Sequence, residues 1–160
     1  MPIGGTWSGL LYENPRTGYD LRLTWTFTFD YEPVRREYGT TEPSLSIDWV
    51  PFGESNWRSL AGNEASTKRF AEPIESSVYF FEHYRYDATD IRVVEQQAAG
   101  VRVSAGVRGD IDGLGLESLE ADQRLRFRGI YVRSPSERLT RGGAHGPGTP
   151  AQSHQKYQTW

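Results

Sequence analysis

The sequence predicts an all-β domain, an antiparallel β-barrel or a two-sheet β-sandwich of about seven to nine strands, with at most one short helix. Three observations carry that expectation. Between Tyr19 and Tyr31, aromatic and leucine residues at every odd position alternate with Asp, Arg and Thr at every even one. Strands place successive side chains on opposite faces, so this run is a long strand with one aromatic and one polar face, whereas a helix would scatter the rings around its circumference. Val101, Val103, Ala105, Val107 and Ile111 repeat the pattern against Arg102, Ser104, Arg108 and Asp110. Turn chemistry separates such runs, with Asn14-Pro15-Arg16-Thr17-Gly18 and Ala98-Ala99-Gly100 as the clearest connections.

Taken in order, the predicted strands are residues 6–13, 19–31, 44–50, 77–86, 89–96, 101–110 and 123–133. Residues 32–74 are less regular, because Pro33, Pro43, Pro51 and Pro73 interrupt them, and Trp49, Phe52 and Trp57 are expected to anchor the stretch. Strand 77–86 carries apolar residues on both faces, with Val78, Phe80, Tyr84 and Tyr86 on one side and Tyr79 and Phe81 on the other. It therefore reads as covered on both sides. Residues 112–122 form the one segment expected to hold a short helix. In the last strand, apolar character switches parity from Leu125 and Phe127 to Ile130 and Val132 across Gly129, the signature of a β-bulge. Residues 1–133 thus read as a single β domain. Residues 134–160 read as a flexible Gly/Pro-rich tail ending in aromatics, with too little apolar surface to offset the entropy of ordering.

A chain of 160 residues is long enough to bury a substantial core without a covalent staple, and it contains no cysteine. No leader-like or membrane-spanning apolar run is evident, so a soluble cytoplasmic protein is expected. The net charge of −3 is uneven, because Arg138, Arg141 and Lys156 outweigh Glu137 in the tail and leave the body more acidic than the whole. Such a body argues against general nucleic-acid binding, and no cofactor motif is present. The scarcity of lysine beside abundant arginine points to a bacterial or phage source with a GC-rich genome.

Four constellations bear on function. Glu82 shares a strand face with Val78, Phe80, Tyr84 and Tyr86. A carboxylate held among aromatics is expected to have a raised pKa and to serve as a general acid or base, with Tyr84 or Tyr86 as hydrogen-bonding partner. Asp110 and Asp112 open a segment with calcium-loop spacing at its first, third and sixth positions, but Leu114 and Ala121 stand where further ligands belong. Arg124, Arg126 and Arg128 form a stripe on the last strand which, with Arg102 and Arg108 from a paired strand, makes a basic band for an acidic protein partner. Tyr157 and Trp160 end the tail as aromatic anchors for a partner's groove.

Gly5-Thr6-Trp7, opening the first strand, resembles the Gly-Xaa-Trp element of lipocalins and related calycin barrels. That resemblance implies a tryptophan closing one end of a barrel beneath an arginine from a late strand, a part open to Arg124, Arg126 or Arg128. It covers three residues, and the helix that follows the last strand of a lipocalin has no counterpart. The leading functional expectation is a noncatalytic interaction protein that recognises a protein partner, of immunity type or of phage or bacterial assembly type. The second is a calycin-like carrier whose cavity for a small apolar ligand is lined by Trp25, Phe27, Phe29 and Phe80. The third is a small β-barrel enzyme of cyclase or isomerase type that uses Glu82.

Overall fold

A computed structural model describes residues 1–14, 18–53 and 56–133; Tyr157, Trp160 and the rest of the tail lie outside the described residues. The strands are β1 (Pro2–Asn14), β2 (Tyr19–Tyr31), β3 (Val34–Arg36), β4 (Gly39–Thr41), β5 (Ser44–Val50), β6 (Glu64–Thr67), β7 (Glu75–Phe80), β8 (Glu82–Gln97), β9 (Gly100–Asp110) and β10 (Leu119–Arg133). No helix occurs among the described residues, so none there is long and apolar enough to cross a membrane.

Pairing runs β1-β2-β5-β7-β8-β9-β10 and returns to β1, which closes a seven-stranded ring and makes the architecture a barrel rather than a sandwich. β6 flanks β8 outside the ring, and β3 and β4 form a separate hairpin. Every neighbouring pair in the ring is antiparallel except β1 with β10. The exception follows from the count. When each successive strand of a ring reverses direction, an odd number leaves the first and last running the same way, and they close in parallel.

The alternation seen in the sequence fills the interior. Trp25, Phe27 and Phe29 of β2, Leu45 and Ile47 of β5, and Val101, Val103 and Val107 of β9 are all buried in one core. Phe52 lies 5.9 Å from Phe27, Trp57 stacks on Phe127 at 4.7 Å, and Trp49 meets Tyr12 edge-on at 5.7 Å, so the irregular middle is anchored by its rings. The bulge is present too, since Trp7 faces Phe127 whereas Gly9 faces Ile130, and Gly129 takes a φ of 124°.

Two sequence expectations are corrected. Residues 77–86 are not one strand, because the chain reverses at Phe81 (φ 62°) so that Val78 pairs with Tyr84 and Phe80 with Glu82. The turn has neither Gly nor Pro, and tertiary contacts hold it instead. The Phe81 ring packs 5.0 Å from Tyr38, and its N–H donates to Thr41 Oγ1 at 3.3 Å. The helix expected over 112–122 is likewise absent. Gly113 and Gly115 take left-handed φ values of 67° and 81°, Asp110 Oδ2 accepts hydrogen bonds from the Gly115 and Leu116 N–H groups, and Leu119 already pairs with Val107.

Candidate ligand-binding site at the barrel mouth

The two ends of the barrel differ. At one, the Trp7 ring lies 4.4 Å from Phe127, Phe127 stacks on Trp57, and Arg58 sits 4.0 Å above Trp57. Trp7 Nε1 also donates to Ala99 O at 3.1 Å, tying this plug to the β8–β9 turn. The arginine expected over Trp7 is therefore replaced by Phe127. Arg124, Arg126 and Arg128 have the opposite parity and are exposed, so none of them takes that place.

At the other end, the end of β2, the end of β7, the start of β8 and the approach to β10 surround an open cavity of about 720 Å³. Its walls include Tyr31, Val78, Phe80, Tyr84, Tyr86 and Leu119 from the strands, with Pro43 and Leu116 from the adjoining segments. Cross-strand register explains the convergence. Val78 faces Tyr84, Ser76 faces Tyr86, and opposite residues in an antiparallel ladder share a face, so side chains from two strands enter the same space.

Three buried side-chain atoms lack a hydrogen-bond partner among the described residues, namely Trp25 Nε1, which packs toward the Trp7 end, and Tyr31 OH and Asp110 Oδ1, which lie toward the mouth. Tyr31 lines the cavity, and Asp110 stands opposite Tyr86 in the β8–β9 ladder. Tyr86 is buried, and its hydroxyl donates to Glu117 O at 3.1 Å. An unmatched buried hydroxyl is costly, and a ligand that supplies a partner recovers that cost.

Burial pushes the Tyr31 phenol above its ordinary pKa, and burial followed by the proximity of Tyr31 and Asp110 does the same for Tyr86. A phenol whose pKa is raised on folding contributes stability that is complete below the unfolded value of about 10 and is lost as pH rises toward the folded value. Ultraviolet titration should therefore show late-ionising tyrosines, and stability should fall above about pH 10. Tyr31→Phe should remove part of both effects. If all phenols ionise together at the ordinary value, this environment is wrong.

The other expected site residues are dispersed. Glu82 is exposed, as is His83, so Glu82 is not the carboxylate held among aromatics that acid catalysis required; the turn at Phe81 carries it to the rim. Tyr84 and Tyr86 do line the cavity. Of the four residues expected to line a carrier's cavity, only Phe80 does so, since Trp25, Phe27 and Phe29 are wholly buried in the packed core. Within the basic band, Arg102 pairs with Asp122 at 2.7 Å, Arg108 with Asp90, and Arg124 with Glu95, so three of its charges are neutralised across strands. Asp112 is held below the usual carboxylate range by hydrogen bonds from Arg85, and no cluster of three potential metal ligands occurs among the described residues. Asp110 and Asp112 thus brace their loop and the adjoining strand.

Sequence reasoning missed Tyr31, Pro43, Leu116 and Leu119 as site residues. Tyr31 ends the aromatic alternation of β2, which marks it as inward-facing, but nothing local shows that the cavity opens there. A second hollow, of about 610 Å³, lies on the outer wall among Asp90, Arg92, Arg108 and Glu120. Its lining is charged and includes the Arg108–Asp90 ion pair, which makes it a solvated polar groove. Comparison with protein-family models, with curated proteins and with solved structures finds no match to this chain.

Proposed function

We propose that this chain is a noncatalytic binding protein that takes a small, predominantly apolar ligand with one hydrogen-bonding group into the barrel mouth. The observation that carries the proposal is the tyrosine-lined cavity of about 720 Å³ in which the Tyr31 hydroxyl has no partner among the described residues. Its size lies within the range of small-molecule sites, and apolar walls with few polar groups are typical of them. Cross-strand neutralisation of the arginine band and exposure of Glu82 make this reading stronger than acidic-partner recognition or acid catalysis.

Native mass spectrometry of the full chain with a panel of ring-bearing small molecules tests the proposal. One-to-one retention is expected, with affinity reduced about five- to tenfold in Tyr31→Phe, as loss of one hydrogen bond entails. Leu116→Trp should fill the mouth and abolish retention while leaving the circular dichroism spectrum unchanged. Failure to retain any compound, or retention that is indifferent to both substitutions, rejects the mouth as a binding site.

A further inference from the structure

We infer that the ligand of the barrel mouth is a cation, a protonated amine joined to an apolar body; the inference rests on the binding role proposed above. The side chains lining the cavity include two ionisable carboxylates, Glu32 and Glu117, and no lysine, arginine or histidine. Four of its lining residues are aromatic, Tyr31, Phe80, Tyr84 and Tyr86, and aromatic faces attract cations through their quadrupole. Asp110, across the ladder from Tyr86 and outside that lining, holds a buried carboxylate oxygen with no donor among the described residues.

A guanidinium flanked by two lining residues is turned away. Arg85 stands between Tyr84 and Tyr86 in sequence, and strand alternation sends it to the outer face, where Asp112 holds it through both backbone and side-chain hydrogen bonds. In a chain rich in arginine, the wall of this cavity is left with acids, aromatic rings and aliphatic side chains. The Met1 amino group, on a fully exposed residue at the rim, offsets at most one of the two carboxylates. An anionic ligand would meet that net negative rim, and a neutral one would leave both carboxylates without a role. A cation uses the carboxylates for long-range attraction and the rings for contact.

The test compares the benzylammonium cation with benzyl alcohol, two molecules of nearly the same shape that both form hydrogen bonds and differ in charge, by calorimetry or by competition against a panel compound. The cation is expected to bind about tenfold more tightly at low salt, and the advantage should shrink as ionic strength rises. The double variant Glu32→Gln, Glu117→Gln alters two exposed side chains and should keep its fold. In it the cation's advantage should fall to about threefold or less, the remainder coming from the rings. Equal affinity for the two compounds overturns the inference about charge and leaves the mouth intact as a binding site. Preference for the cation that survives unchanged in the double variant overturns the role of the carboxylates. If neither compound binds, both the charge assignment and the binding role fall.

Discussion

Replacing Gly5 by alanine is expected to destabilise the barrel by about 3–5 kcal/mol, enough to lower Tm by roughly 10 °C in a chain of this size. Gly5 takes a φ of 153°, and a Cβ built on it would lie 2.0 Å from the Thr28 carbonyl oxygen and 2.7 Å from Leu125 Cδ2. The first obstacle is backbone, so relief requires β1 and β2 to part where Gly5 faces Phe29. Phe29 is wholly buried, and the displacement would reach the core directly. Gly4→Ala is the control, because nothing lies within 4 Å of a Cβ there. Thermal melts should separate the two variants clearly, and equal melting temperatures would mean that the close approach at Gly5 is not real.

Trp7→Ala should cost a similar amount, about 3–5 kcal/mol, for a different reason. Trp7 is 1% exposed and touches Trp25 at 5.5 Å, Phe27 at 6.5 Å and Phe127 at 4.4 Å. Its removal opens a hole in the plug that the β-sheet wall cannot collapse to fill, and it leaves Ala99 O without its indole donor. Because Phe127 is wedged between Trp7 and Trp57, Phe127→Ala and Trp7→Ala should be non-additive, with the double variant less unstable than the sum of the singles. Denaturant midpoints followed by far-ultraviolet circular dichroism measure all three. Strict additivity would show that the rings do not act as one stack.

These two residues also show what the sequence can reveal and what it cannot. The bounds of β2 were legible to the residue because its alternation is local and uninterrupted, and the Gly129 bulge was legible because it shifts that alternation by one. The Gly5-Thr6-Trp7 element pointed to a tryptophan at one end of a barrel, but its cover, Phe127, comes from a strand far along the chain. The reversal at Phe81 left no trace in composition, since contacts with Tyr38 and Thr41 stabilise a left-handed phenylalanine that turn statistics would not select. The acidic stretch after Asp110 read as helical because its side-chain hydrogen bonds to Gly115 and Leu116 cannot be seen in a residue count. The mouth was the least visible feature. Tyr31, Tyr84, Tyr86 and Leu116 belong to segments that become neighbours only through ring closure, so Tyr84 and Tyr86 were singled out for a role beside Glu82 that the turn does not permit.

The parallel seam between β1 and β10 has a kinetic consequence. Thr6 and Arg126, partners across it, are about 120 residues apart, so the ring cannot close on the ribosome until almost the whole described domain has emerged. Until then β1 holds one open edge, and the growing sheet of antiparallel neighbours presents another. Each is a row of unpaired backbone groups able to recruit a strand from a second chain. Refolding yield should accordingly depend on protein concentration more steeply than native stability does. The joining of first strand to last removes both edges at once.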